Sequence, residues 1–244
     1  MRKSYAFFLS LLLTLLLILN LVFFSKELTR EKVTVGRVID GDTFELKDGR
    51  VIRLLNINAP EKNLPQSDAA KSYLSRLENS SVELEVFETD KYERHLARVY
   101  SPEYTNLYLV KEGMSSKFLV QDKEIDIFSK AEEEAIRVGK GIWKHSNYYG
   151  CFTTDIDKKK EVVYFIRTCN ISSMEGWIVK DESRKTYSFS STPNDRFMLS
   201  VGSGNNTPAE LYWDSKTNIW NNDRDSLYLF DKDYSLVHYH SYGY

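Results

Sequence analysis

Twenty consecutive residues, Tyr5 to Phe24, carry no charge. An apolar run of about that length matches the hydrocarbon core of a bilayer. It lacks the polar face that a surface helix of a globular domain would keep. No small-residue cleavage pattern follows Phe23 and Phe24. Residues 1–25 therefore read as a signal anchor, with a cleaved signal peptide as the alternative. Membrane contact is expected through residues 5–24. Arg2 and Lys3 favour an orientation with the N-terminus inside. The body of the chain is then expected outside the cytoplasm, membrane-anchored or secreted. The two cysteines are Cys151 and Cys169, and a disulfide between them is allowed in such a compartment.

The remaining residues have an ordinary globular composition, and the whole chain carries a net charge of -2. A gross basic surface for nucleic acid is excluded, so any such contact must come from a local site. Strand-like runs occur at "VTVGRVI", "DTFELKD", "RVIRLLNI", "SVELEVFE" and "RHLARVY". Asp-Gly turns at 40–41 and 48–49 separate the first three. "SDAAKSYLSRLEN", "TNLYLVKEG" and "KEIDIFSKAEEEAIRVGKG" read as helices. Ser67 or Asp68 is the expected cap of the first, and Gly113 and Gly139 end the others. The "EEE" at 132–134 reads as a solvated helix face. Five strands with interleaved helices predict a small closed barrel. From about residue 150 the helix signal disappears and short strands recur at regular spacing, which predicts a β-sandwich.

Chemistry concentrates in five short pieces: "VIDGDTFEL" (38–46), "IRLLNINAPEK" (52–62), "DKYERHLARVY" (90–100), "LYLVKEGM" (107–114) and "GKGIWKHS" (139–146). Asp42, Asn58, the Ala59 carbonyl and Glu61 are hard oxygens of the kind calcium prefers. Arg53 and Arg94 are suited to phosphate oxygens, because a guanidinium binds them through two N–H groups and keeps its charge. Arg53 and Glu61 are eight residues apart, roughly 26 Å if extended. A turn, expected at Ala59-Pro60, must bring them together.

In order and spacing the five pieces resemble the staphylococcal-nuclease-like, or thermonuclease, family over about residues 33–146. The resemblance implies an OB-fold five-stranded barrel with three helices. It implies Arg53, Glu61 and Arg94 as catalytic residues, with Glu61 acting on the attacking water and the two arginines clamping the phosphoryl group. It implies a Ca²⁺ ion held by Asp42, Asn58 and Ala59, and contacts from Lys91 and Tyr92 to the substrate's terminal phosphate. The implied reaction is hydrolysis of the 5′-side P–O bond of DNA and RNA, leaving 3′-phosphates. Two positions depart from the family pattern. Asn58 stands where Asp is common, and Glu93 stands where a glycine is usual. An aromatic platform for the base is not evident, Phe118 being a loose candidate.

"GWIVKDES" and "IWNNDRDSLYLFDKD" resemble the lamin-tail domain, an immunoglobulin-like sandwich, over about residues 158–243. Residues 149–244 hold 11 Lys and Arg against 13 Asp and Glu, so this half is not a strongly basic surface. Trp177 and Trp220 read as core residues, and His238 and His240 as an exposed face of the last strand. The expected organisation is a signal segment at 1–25, a nuclease domain at 32–147, a linker at 148–157 and a lamin-tail domain at 158–244. The expected protein is a monomeric calcium-dependent nuclease, exported or membrane-anchored, with nucleic acid as substrate and no assigned ligand for the second domain. The alternatives are a binding module that keeps the fold without catalysis, and a surface adhesion protein carried by the sandwich.

Overall fold

Alternating apolar residues in five segments produce the first core. In the computed structural model, which describes residues 12–16, 30–62 and 64–244, these segments are β1 (Glu31–Val38), β2 (Thr43–Leu46), β3 (Val51–Leu54), β5 (Ser81–Thr89) and β6 (His95–Tyr100). They close into a barrel in the order β1-β2-β3-β6-β5, with β3 and β6 parallel and the other pairs antiparallel. Two short strands, β4 (Ile57–Asn58) and β7 (Ser116–Lys117), pair beside it. Val35, Phe44, Ile52, Leu54, Leu84, Ala97 and Val99 fill the interior. The helices are α1 (Ser67–Ser75), α2 (Thr105–Lys111) and α3 (Ile125–Arg137). The cap of α1 is Gln66, in the left-handed region and with no side-chain capping bond, rather than Ser67 or Asp68.

Residues 12–16 are helical. The rest of the uncharged segment, and with it the signal-anchor reading, lies outside the described residues. Among the described residues no helix is long and apolar enough to cross a membrane.

The second core is a β-sandwich. One sheet runs β11 (Thr186–Ser188), β10 (Ile178–Lys180), β14 (Asp225–Phe230) and β15 (Leu236–Tyr242). The other runs β13 (Glu210–Tyr212), β12 (Arg196–Ser200), β9 (Val162–Arg167) and β8 (Phe152–Asp157). Phe165, Phe197, Trp177, Val179, Trp220, Leu227 and Leu229 pack between the sheets. β8 falls within the stretch read as the linker 148–157 and pairs with β9 along its whole length. The polar sequence "TTDID" misled the boundary, because an edge strand with one solvated face needs few apolar residues. Cys151 and Cys169 form a disulfide that ties the start of β8 to the end of β9.

The two cores are joined by a buried ionic contact. Lys117 on β7 and Glu132 on α3 are fully buried and lie 2.5 Å apart. The Lys117 ammonium also donates to Ser226 and Tyr239 of the sandwich, at 3.0 and 2.9 Å. Burial alone would lower the Lys117 pKa, but Glu132 and Tyr239 outweigh it and raise the value. Beside this contact Trp143 stacks on Tyr228, 4.9 Å between ring centres. Glu132 is therefore an interdomain residue, and only Glu133 and Glu134 of the acidic triplet face solvent. A charge can be buried when paired and hydrogen-bonded, which a helical charge pattern alone does not reveal.

His238 and His240 also differ from expectation. Both lean on Thr154 of the opposing sheet, whose hydroxyl lies 2.9 Å from the His238 ring and 2.8 Å from that of His240. The hydroxyl can donate to one ring and accept from the other. Burial first, and His240 second, push the His238 pKa down to about 4. A folded pKa below the unfolded one means that the unfolded chain binds protons more readily. Stability from this group is thus complete above about pH 6.5 and is lost as pH falls towards about 4. The His238→Gln variant, which does not titrate, is expected to lose roughly 1–2 kcal/mol less stability between pH 7 and pH 4.5 than the native chain. Urea midpoints at the two pH values check this, and an unchanged pH dependence would count against it.

Candidate active site

The segment "RLLNINAPE" bends earlier than its proline suggests. β3 ends at Leu54, and Asn56 adopts a left-handed conformation with φ of +69°. Asn tolerates that region better than most residues. Here its side chain is also fixed at both ends. The amide nitrogen donates to Glu124 at 2.8 Å, and the amide oxygen accepts the Gln121 N–H at 2.9 Å. The Phe118 N–H donates to its carbonyl at 2.8 Å. The turn at Leu55-Asn56 therefore folds β4 back on β3. Arg53 and Asn58, five residues apart, meet with 2.5 Å between Nη2 and Oδ1.

Arg53 is buried, 8% exposed. Its guanidinium donates to the carbonyls of Leu54 and Ile57 at 2.8 and 3.0 Å and lies 3.4 Å from the Asp42 carboxylate. Burial lowers its pKa, Asp42 opposes that, and the neighbouring Arg184 and Arg94 reinforce it. Asp42 is buried too. Its Oδ1 accepts from the Thr43 hydroxyl at 3.0 Å, and its Oδ2 from the Ala59 N–H at 2.9 Å. The neighbouring Asp40 accepts the Asp42 N–H at 3.0 Å and so shapes the turn. A Cβ at Gly41 would lie 2.6 Å from the Ala59 side chain and 3.0 Å from that of Ala70. The Asp-Gly-Asp turn needs glycine to bring Asp42 this close to Ala59.

The turn after β5 carries the remaining basic residues. Asp90 Oδ1 accepts the N–H groups of Tyr92 and Arg94 at 2.8 and 3.0 Å. Its Oδ2 accepts from Arg94 Nε at 2.9 Å. Burial is the largest single influence and raises the Asp90 pKa, but the Arg94 guanidinium and these N–H groups together outweigh it and hold the value below the ordinary carboxylate range. Lys91 and Arg94 approach the exposed Tyr92 ring, at 5.0 and 5.3 Å from its centre. One cavity of about 870 Å³ is lined by Asp42, Arg53, Asn58, Glu61, Lys91, Tyr92, Arg94 and Phe118. The motifs "LYLVKEGM" and "GKGIWKHS" have a different use. The backbones of Gly113 and Gly141 pack together so closely that a Cβ on either would fall about 2 Å from the other segment.

A residue that the sequence did not single out completes the cluster. Arg184 lies between β10 and β11 of the sandwich, yet its guanidinium enters this cavity. Nη2 donates to Asp42 Oδ2 at 3.0 Å and to Asn58 Oδ1 at 2.8 Å, and Nη1 pairs with Glu61. The same hairpin reaches Asn58 a second time, because the Asn58 amide nitrogen donates to the Glu182 carbonyl at 3.0 Å. These oxygens have the chemistry of a hard-cation site. In this conformation a guanidinium holds three of them. Among the described residues no three His, Cys, Asp or Glu side chains gather as a metal cluster.

The sequence model of the family described as "Staphylococcal nuclease homologue" matches residues 51–145. β1 and β2, which close the barrel, precede that match. An "Uncharacterized endonuclease" of Haemophilus influenzae is 36% identical over 145 residues, which is 56% of this chain and 79% of the relative. A protein of the same name from Escherichia coli O157:H7 is 32% identical over 123 residues, 46% of this chain and 77% of the relative. The SPbeta prophage-derived endonuclease YokF of Bacillus subtilis is 34% identical over 133 residues, 48% of this chain and 45% of the relative. The barrel, its helices and these similarities place the chain in the staphylococcal nuclease homologue family.

Glu93 has φ of +64°, which accounts for the glycine usual there in the family. A non-glycine residue in this region is strained. Glu93→Gly is expected to raise stability by about 0.5–1 kcal/mol after the entropy that glycine adds to the unfolded chain. A chemical-denaturation midpoint that falls instead would contradict the strain.

Proposed function

We propose that this chain is a calcium-dependent nuclease that hydrolyses phosphodiester bonds of DNA and RNA. The observation that carries the reading is the convergence of Arg53, Asp42, Asn58 and Glu61 in one cavity with Lys91, Tyr92 and Arg94. The endonuclease names of the relatives agree with it. In this reading Glu61, whose side chain is 61% exposed, accepts a proton from an attacking water once Arg184 releases it. Water adds to phosphorus as its proton passes to Glu61, the 5′-side P–O bond breaks, and the released 5′-oxygen takes a proton from solvent, which leaves a 3′-phosphate and a 5′-hydroxyl. Arg53 and Arg94 donate to the equatorial oxygens, where negative charge grows in the transition state. Lys91 and Tyr92 bind the terminal phosphate. Bound calcium, held by Asp42, Asn58 and the Ala59 carbonyl, would supply further positive charge beside the phosphate.

Arg53 is held in place by the Leu54 and Ile57 carbonyls and by Asn58. Arg94 differs, because its fork is taken by Asp90, 2.7 Å from Nη2. It must share or leave that partner to reach a phosphate. The sandwich is read as a lamin-tail domain, on its two four-stranded sheets and its sequence. Export, with or without an anchor at residues 5–24, is supported by the uncharged N-terminal run and by the Cys151–Cys169 disulfide. The protein acts as a monomer in this reading.

A second reading, a nucleic-acid binder that does not cleave, is favoured by one observation: Arg184 occupies the carboxylates that catalysis would use. Cleavage of single-stranded DNA by the full chain separates the two. Cleavage with millimolar Ca²⁺ and none with chelator is expected. Glu61→Gln and Arg94→Ala should each lower the rate by roughly 10²-fold or more. Binding without cleavage at any Ca²⁺ concentration would establish the second reading.

A further inference from the structure

We propose that Arg184 occupies the seat of the divalent cation and, together with Asn58, sets how much cation the nuclease site needs. This rests on the calcium reading above. Arg184 contacts Asp42, Asn58 and Glu61, two prospective cation ligands and the prospective base. A guanidinium cannot be neutralised at ordinary pH. A divalent cation must therefore compete with a fixed charge for the same oxygens.

The placement is built into the fold. Asp181, fully buried, shapes the hairpin: its carboxylate accepts the Lys185 N–H at 2.7 Å and the Ser183 hydroxyl at 2.5 Å. Arg184 itself has φ of +76°, a conformation that costs energy for a non-glycine residue. Glu182 is fastened by the Tyr244 hydroxyl at 2.6 Å. Below these contacts the Lys117–Glu132 pair and the Trp143–Tyr228 stack hold the domains together. The hairpin tip is thus carried by a packed interface, and the Arg184 side chain alone need move to vacate the seat. Its Nε is buried with no hydrogen-bond partner. The docked guanidinium thus leaves one donor unsatisfied, a cost that is relieved when the side chain turns out to water.

This placement also gives a reason for Asn58. Its Oδ1 faces Arg53 and Arg184, while its amide nitrogen donates to the Glu182 carbonyl. An aspartate would turn an anionic oxygen toward that carbonyl, a repulsive contact in a buried place. The amide is the side chain that satisfies both directions. An aspartate here would forfeit the hydrogen bond to the docked hairpin.

The test is calorimetric titration of Ca²⁺ into the full native chain, Arg184→Ala, Arg184→Lys and Asn58→Asp, each first treated with chelator. Half-saturating Ca²⁺ for single-stranded DNA cleavage is measured alongside. Charge-assisted hydrogen bonds of this kind predict binding about tenfold tighter in Arg184→Ala. Arg184→Lys should remain close to the native chain, and Asn58→Asp should also bind more tightly. Cleavage should saturate at correspondingly lower Ca²⁺ in Arg184→Ala. A native thermal midpoint verifies that each variant is folded, and if Arg184→Ala is not, Arg184→Gln, which also removes the charge, decides by the same criterion. Equal or weaker Ca²⁺ binding in the folded Arg184→Ala, with native cleavage still Ca²⁺-dependent, would overturn the proposal and leave the nuclease reading standing. No Ca²⁺ binding or cleavage in any of the chains would overturn both.

Discussion

A buried carboxylate must be answered by donors, and Asp42 determines much of this structure in being answered. Its Oδ2 receives the Ala59 N–H and the Arg184 guanidinium, with Arg53 at 3.4 Å, while its Oδ1 receives Thr43. Each donor comes from a different piece of chain. β2 supplies Thr43, β3 supplies Arg53, the segment after β4 supplies Ala59, and the second domain supplies Arg184. Burial makes each contact stronger and makes the loss of any partner costly. The charge that a phosphate or a cation would meet is consequently set by the packing of four elements.

Position 58 links the two halves of the molecule. In the nuclease domain it neighbours Arg53, and across the interface it meets the Glu182 carbonyl. An amide there gives up one negative charge in the first domain and gains a hydrogen bond to the second. The sandwich thus reaches the cavity of the first domain through one hairpin. It carries one positive charge, on a shaped turn, against Asp42, Asn58 and Glu61.

The barrel and the sandwich were both legible in the sequence, because alternation and turn residues are local signals. So was the set of Asp42, Arg53, Asn58, Glu61 and Arg94, which the cavity gathers. Three features were not. The turn at Asn56 rests on bonds to Gln121 and Glu124, more than 60 residues away. Glu132 belongs to an acidic triplet whose other members are solvated, and its partner Lys117 lies on a two-residue strand. Arg184 sits in "KDESRKTYS", an ordinary charged hairpin, 126 positions beyond Asn58. In each case the partner is set by the tertiary fold, and neither composition nor periodicity records it. The one trace of Arg184 in the sequence is indirect: an amide at position 58 where a carboxylate is common.

The most direct test of this account is a crystal structure of the full chain at high resolution, grown with chelator and again with Ca²⁺. With chelator, Arg184 should lie within hydrogen-bond distance of Asp42, Asn58 and Glu61. With Ca²⁺, its guanidinium should have left those oxygens to the ion. An Arg184 side chain turned to solvent in the chelated crystal, or unmoved beside a bound ion, would contradict it.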